Sequence, residues 1–312
     1  MDKIYDVVIL GGGPASMSAG VYCKQMGLNT LLIEKSVFGG QISTTSSVSN
    51  YLGFKEISGE KLSQLMHEHV GSVGIDIRHE EITNCELNDE IKVIKTHGNE
   101  YLAKAVIIGI GTSPRSLGVD NDKMFINRGI SYSALKDGQK YTDKVVAVVG
   151  GGNSAIEDAL LLSKTCKKVY LVHRRQEFRG DADNVCKLYN QVNAGKIELV
   201  LDSRPHSIEG IDSLSALNVF HIPTEEIKKL EVDCVFVAIG RGADTDIIDR
   251  SINRNEMGYI ITDEHMKTNI SGVYAIGDIR NTPYRQIVTA VSDGAIASLS
   301  AFNYIKELRT KK

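Results

Sequence analysis

The chain has 312 residues, 42% hydrophobic and 24% charged, with a formal net charge of −3. That length can bury a sizeable core and accommodates two domains. So small a charge argues against a nucleic-acid binder, no apolar run reaches membrane-spanning length without glycines or charges, and Met1-Asp-Lys-Ile-Tyr-Asp6 lacks a signal-peptide layout. The expectation is a cytoplasmic globular protein with no nucleic-acid or membrane partner.

In chain order, Asp6–Leu10 reads as a strand, Pro14–Met26 as a helix and Thr30–Glu34 as a second strand. Between the first two lies a glycine fingerprint, Gly11-Gly-Gly13-Pro14-Ala15-Ser16. Glycines there permit a tight turn and let the backbone approach a pyrophosphate, which rests on the helix N-terminus. Glu34 stands 23 residues past Gly11. A carboxylate there accepts hydrogen bonds from ribose hydroxyls and repels a 2′-phosphate, which suits FAD or NAD. A loop rich in small polar residues, Val37–Thr45, follows, then an amphipathic helix over Gly59–Gly71. Short β segments are expected at Asp76–His79, Cys85–Asn88 and Ile91–Thr96, and a longer strand at Tyr101–Ile110.

A second fingerprint begins about 140 residues after the first. Strand Val145–Val149 leads into Gly150-Gly-Gly152-Asn153-Ser154-Ala155 and a helical pattern, then strand Lys168–Val172. In place of the acid comes His173-Arg174-Arg175, with Arg179 one turn on. Arginine pairs with phosphate bidentately and stays charged, so this unit should prefer NADPH to NADH. Strands are expected near Ile197–Leu201, Ala216–Val219 and Cys234–Gly240. The chain then carries strand Gly272–Ile276, Gly277-Asp278 and a helix from about Gln286 to Leu308. Two dinucleotide units in one chain suggest electron transfer between two dinucleotides. The second unit reads as inserted into the first: domains 1–117 with 241–312, and 118–240, with glycine hinges near Gly118 and Gly240.

The five cysteines, Cys23, Cys85, Cys166, Cys186 and Cys234, have no C-x-x-C spacing and form no metal-ligand cluster in sequence. Cys23, Cys166 and Cys234 lie in apolar patterns and read as core.

Together these residues resemble the low-molecular-weight thioredoxin reductase family over essentially the whole chain. The resemblance implies an α/β fold of two Rossmann-like three-layer domains, the NADPH domain inserted into the FAD domain. It implies FAD contacts at Gly11, Gly13, Pro14, Ala15, Glu34, Gly40, Gln41, Thr45, Asn50, Gly111, Gly277, Asp278, Arg285, Gln286 and Ala290. It implies NADPH contacts at Gly150, Gly152, Asn153, Ser154, Ala155, His173, Arg174, Arg175 and Arg179. A homodimer through the FAD domain is implied as well.

The chain departs from the family pattern in three places. Ser16 replaces the third glycine of the first fingerprint, and Leu52 replaces a common proline. Where the family carries its C-x-x-C dithiol and adjoining acid, this chain reads Ser133-Ala-Leu-Lys136-Asp137. Serine and lysine cannot form a disulfide or exchange through a mixed disulfide. The expected activity is therefore hydride transfer from NADPH to FAD, then electron transfer directly to a small protein or small-molecule acceptor. Ser133, Lys136 and Asp137 are candidate catalytic positions. Alternatives are a disulfide reductase using the flavin itself, a ferredoxin- or flavodoxin–NADP reductase-like enzyme, and a non-catalytic redox sensor.

Overall fold

In the computed structural model, which describes residues 3–243 and 245–310, the chain forms two compact units. One comprises Met1–Ser113 with Gly242–Lys312, the other Pro114–Arg241.

The first unit opens with β1 (Ile4–Leu10), α1 (Pro14–Gln25), β2 (Thr30–Glu34), α2 (Gly59–Ser72) and β3 (Asp76–His79). Strands β4 (Ile82–Glu86), β5 (Lys92–Thr96) and β6 (Glu100–Ile108) follow. β2 and β6 flank β1 in parallel, and β3 adds in parallel to β2. β4, β5 and β6 run antiparallel to one another. From Val7 to Leu10, β1 is fully buried, as a parallel strand covered on both faces must be. Val7 and Ile9 enter one core, and Val8 and Leu10 the other.

The chain leaves this unit through β7 (Thr112–Pro114). The second unit contains β8 (Ile130–Ser131), α3 (Ala134–Asp137), β9 (Val145–Val149), α4 (Asn153–Leu162), β10 (Lys168–Val172) and α5 (Ala182–Asn193). It continues with β11 (Ile197–Val200), β12 (Ser203–Gly210), β13 (Leu214–His221), β14 (Ile227–Glu231) and β15 (Cys234–Val237). The order β11-β10-β9-β15-β8 makes a five-stranded parallel sheet. One face packs on α4 and α5. The other packs on an antiparallel ribbon, β12-β13-β14, through Leu214, Leu217, Val219 and Leu230.

The chain returns through β16 (Arg241–Ala243) to β17 (Val273–Ala275), parallel to the end of β6, and to α6 (Ile287–Thr310). Helix α6 lies on α1 with almost no space between them. A Cβ on Gly294 would fall 2.2 Å from the Ala15 carbonyl oxygen. Ser298 Oγ donates to the Ala19 carbonyl at 3.0 Å.

The expected strand at Cys85–Asn88 starts earlier, at Ile82, because Ile82 and Cys85 supply its buried side chains while residues 87 and 88 turn away from the ladder. Helix α5 and strands β12 and β14 were not expected. α5 is amphipathic but buries only Leu188 fully, and β12 carries Pro205 and two register shifts.

Candidate dinucleotide sites

In the first unit, β1 delivers Gly11–Gly13 to the start of α1. Gly11 has φ +97°, and a Cβ there would lie 2.6 Å from the Gly109 carbonyl oxygen. A Cβ at Gly13 would meet nothing within 4 Å, so this backbone stands open. Gly13 is the N-cap of α1, no side chain caps the helix, and Pro14 occupies its first turn. The amides of that turn are thus available to an anion. Glu34 is pinned beside them, accepting from Gly12 N at 2.6 Å and Ser36 N at 2.8 Å. Ser36 Oγ donates to it as well at 3.1 Å, and of a carboxylate's roughly four lone-pair sites this leaves one for a ribose hydroxyl.

The loop after β2 folds against the fingerprint. Gly39 N donates to the Gly12 carbonyl at 2.9 Å, and a Cβ on Gly40 would lie 3.5 Å from Gly13 Cα. Gln41 Nε2 donates to Thr112 Oγ1 at 3.1 Å and to Asp278 Oδ2 at 3.0 Å. Thr45 Oγ1 donates to the Gln41 carbonyl, and Asn50 Nδ2 to Gln286 Oε1. Gly277 has φ +68°, and its missing Cβ would sit 3.1 Å from Ala15 Cβ and 3.8 Å from Ala290 Cβ. Gly111, with φ +67°, directly precedes Thr112. The sequence-predicted residues are therefore linked into one constellation. Arg285 turns its guanidinium over the Tyr259 ring, 4.3 Å from the centroid. Sequence reasoning missed Asp293. This buried carboxylate accepts from Gly277 N at 2.9 Å and from Arg280 at 2.7 and 2.9 Å, fixing the turn that presents Asp278.

In the second unit, a cavity of about 580 Å³ opens at the second fingerprint. Gly150 has φ +152°, and a Cβ would lie 2.3 Å from the Ala238 carbonyl oxygen. Ala155 is buried beneath this turn, its Cβ 2.8 Å from the same missing atom. Gly152 is open and N-caps α4, again without a side-chain cap. Ser154 lines the cavity, and Asn153 ties it to the start of α5 by exchanging hydrogen bonds with Asp181.

His173 lines the cavity as well, and its ring is packed firmly in place. Its ring fills the space a Cβ on Gly151 would need, stacks on Phe178, and donates from Nε2 to the Glu177 carbonyl at 3.1 Å. Burial holds its pKa below the ordinary histidine value; the Glu177 bond opposes this, and Arg179, Arg175 and Arg174 reinforce it. Arg174 and Arg179 line the cavity, whereas Arg175 is exposed and does not. None of the three pairs with a carboxylate among the described residues. Among the lining residues that sequence reasoning missed are Tyr132, Asp158 and the arginines Arg115, Arg204 and Arg241. Burial, with Glu157 nearby, pushes the Asp158 carboxyl up to about 6.

The turn in the dithiol position is a small capped helix. Ser133 Oγ accepts from Lys136 N at 3.3 Å. Lys136 is exposed. Asp137 is held by Lys140 at 2.7 Å and by Ser131 Oγ at 2.8 Å. Partial burial favours its protonated form, but those two bonds win and its pKa lies below the usual carboxylate value. None of the five cysteines is in a disulfide; Cys186 is exposed and the rest are buried.

Two uncapped helix N-termini behind open glycines, one beside a pinned acid and one beside unpaired arginines, define a two-dinucleotide oxidoreductase. The sequence profile of the pyridine nucleotide-disulphide oxidoreductases matches residues 5–294. The chain belongs to that family and is an FAD-dependent oxidoreductase of the thioredoxin reductase type. It is 37% identical to the thioredoxin reductase of Bacillus subtilis over 99% of this chain and 97% of that one. It is 39% identical to a 34.2 kDa protein in the rubredoxin operon of Clostridium pasteurianum, covering 97% and 98%. The structure of Lactococcus lactis thioredoxin reductase superimposes with a TM-score of 0.86 at 35% identity, covering 97% of this chain and 99% of that one. The family uses FAD and NADPH, and both sites have the donors and the open backbone those ligands require. Among the described residues no helix is long and apolar enough to cross a membrane.

Proposed function

We propose that this protein is an NADPH-dependent flavoprotein reductase that passes electrons from FAD directly to an external acceptor, without a redox dithiol. The observation that carries this reading is the turn 133–137. It keeps a serine cap and a lysine where the thioredoxin reductase pattern has its two cysteines, while both dinucleotide fingerprints keep their first two glycines, Gly11 and Gly13, Gly150 and Gly152.

The first unit would hold FAD. The start of α1 would take the pyrophosphate, Glu34 a ribose hydroxyl and Asp278 the ribityl chain, with Gln41 bridging Asp278 and Thr112. The second unit would hold NADPH, its pyrophosphate on α4 and its 2′-phosphate on Arg174 and Arg179. When bound in the first unit, FAD would supply the redox chemistry, taking a hydride from NADPH and releasing two electrons to the acceptor and a proton to solvent. The protein's own residues bind, orient and neutralise charge. Asp137, already bonded to Lys140 and Ser131, serves the fold of the turn.

The acceptor classes to try are small iron–sulfur proteins, flavodoxin-like proteins, quinones and dioxygen. The relative from a rubredoxin operon puts rubredoxins among the first. A homodimer through the FAD-binding unit forms part of this reading. Tyr22 on α1 and Val288 and Leu299 on α6 leave large apolar side chains 41–52% exposed on that unit.

The test is an anaerobic titration of the FAD-loaded protein with NADPH, followed by an acceptor screen. Stoichiometric bleaching of the flavin, then reoxidation by at least one direct acceptor but not by thioredoxin, is expected. A flavin that NADPH does not bleach, or robust thioredoxin turnover, overturns the reading.

A further inference from the structure

The second unit's cavity is lined by three arginines that neither the fingerprint nor the basic run contains, Arg115, Arg204 and Arg241, and of these Arg204 has its guanidinium over an aromatic ring. Arg204 is the second residue of β12, and its register partner across the ladder is Phe220. Directly opposed residues in an antiparallel pair project their side chains on the same face. The guanidinium carbon indeed lies over the Phe220 ring, 5.0 Å from its centroid. Arg204 is in no ion pair among the described residues, so an aromatic face orients it rather than a carboxylate.

The same side chain lines the cavity. Its neighbour Ser203 donates its backbone N–H to the His173 carbonyl at 3.0 Å, and Arg174 follows His173. Arg204 therefore borders the cavity at the end where Arg174 stands. A guanidinium is planar, and aromatic rings and purine bases stack on its faces. With one face on Phe220, the other is left for a flat ligand.

We propose that Arg204, held by Phe220, is the stacking platform for the adenine base of the nicotinamide nucleotide. This rests on the reading of the second unit as the nucleotide-binding one. Arg204 then reads a part common to NADH and NADPH, while Arg174 and Arg179 read the 2′-phosphate. It is a binding residue and takes no part in electron transfer.

The experiment measures dissociation constants of NADPH and NADH by calorimetry on the FAD-loaded protein, for the wild type and for Arg204→Ala, Arg204→Lys and Arg174→Ala. Arg204→Ala should weaken both nucleotides to the same extent, about tenfold, the scale of one stacking contact. Arg204→Lys should recover little, because an ammonium keeps the charge but lacks the plane. Arg174→Ala should weaken NADPH alone. Loss confined to NADPH in Arg204→Ala, or full recovery in Arg204→Lys, would show that Arg204 acts as a charge and would overturn the stacking assignment. So would unchanged binding in Arg204→Ala. If the wild type binds neither nucleotide, the assignment of the second unit fails along with it, an outcome distinct from loss of the Arg204 effect alone. Phe220→Leu is a second route to the same answer. It leaves Arg204 in place but unsupported, and should weaken both nucleotides alike.

Discussion

Ser16 and Gly109 interlock. Ser16 Oγ donates to the Gly109 carbonyl oxygen at 3.3 Å and to that of Leu10 at 3.4 Å, and a Cβ added to Gly109 would fall 2.2 Å from Ser16 Oγ. The first fingerprint lacks its usual third glycine, and the space that glycine would have provided comes instead from Gly109 at the end of β6. The hydroxyl is fully buried and bonded, so the exchange leaves no unsatisfied polar group.

Gly109→Ala should therefore destabilise the FAD unit by about 1–3 kcal/mol, the scale of overpacking in a tight core. Ser16→Gly should be tolerated, and should return part of the loss when combined with Gly109→Ala. The rest persists because Ile276 also crowds the site, with carbons 3.1 and 3.2 Å away. Thermal melting of the three variants measures this. Equal melting of Gly109→Ala and the double variant would show that Ser16 is not the obstacle.

The arginines in the second unit should separate by position. Arg174 lines the cavity and Arg175 does not. A charge-assisted hydrogen bond is worth about 1.5–3 kcal/mol. Arg174→Ala should weaken NADPH by roughly tenfold to a hundredfold, leaving NADH nearly unchanged. Arg175→Ala should cost much less, through long-range attraction alone. Titration of each variant with both nucleotides decides; equal effects at the two positions would contradict the geometry.

What was legible in the sequence was whatever repeats as a local pattern. The strand–glycine–helix units, Glu34 and the basic run after β10 follow from spacing, because each acts within its own βαβ segment. Asp293, Arg204 and Asp158 did not show, since each acts through a partner distant in sequence or through burial. Asp293 reaches Gly277 from α6, Arg204 depends on a cross-strand ring, and Asp158 looks like any polar helix residue until its surroundings are known. The three-stranded ribbon was only partly visible, because Pro205 and the register shifts in β12 blur its alternation.

The turn in the dithiol position makes a further prediction. Ser133→Cys with Lys136→Cys should allow a disulfide to form, detectable as two thiols lost on oxidation. It should confer only weak thioredoxin reduction while Asp137 stays bonded to Lys140 and Ser131. A carboxylate stabilised in its charged form is a poor proton donor near neutral pH. Adding Lys140→Ala should remove the stronger of the two bonds, raise the Asp137 pKa and increase turnover. Full thioredoxin activity in the double variant, with no gain from the third change, would show that the acid was never restrained.

Asp6 should give the fold an acid-sensitive joint. Its carboxylate is 8% exposed and meets Lys104 at 2.7 Å and Arg309 at 3.0 Å, joining β1, β6 and the end of α6. Burial disfavours the charge, but the bonds from Lys104 and the Asn29 amide outweigh it, and the folded pKa lies below 3.8. An acid with a depressed folded pKa contributes stability that is present above its unfolded pKa and is lost as pH falls through the folded value. Asp6→Asn should therefore melt lower than wild type at pH 7, and the gap should close as pH drops below about 3.8. A gap that persists unchanged at pH 3 would mean the loss is one of packing.

Asp158 should behave in the opposite sense. Its carboxyl faces the second unit's cavity and is pushed from 3.8 to about 6, first by burial and then by Glu157. The unfolded chain ionises Asp158 near 3.8, while the folded protein holds that proton until about 6. Between those values the folded state binds more protons, so stability falls as pH rises, and above 6 the whole cost remains. Asp158→Asn removes that cost. It should raise stability at pH 7.5 by up to ~3 kcal/mol, the span of the shift, and leave it unchanged at pH 4. The same substitution should make NADPH binding less sensitive to pH between 5 and 7, since a carboxylate forming in the cavity opposes an anionic ligand and an amide cannot. Melting curves and NADPH titrations across that range, run on both proteins, supply the comparison. If Asp158→Asn is no more stable than wild type at pH 7.5, the carboxyl is already ionised at little cost, and its position facing the cavity carries no electrostatic weight.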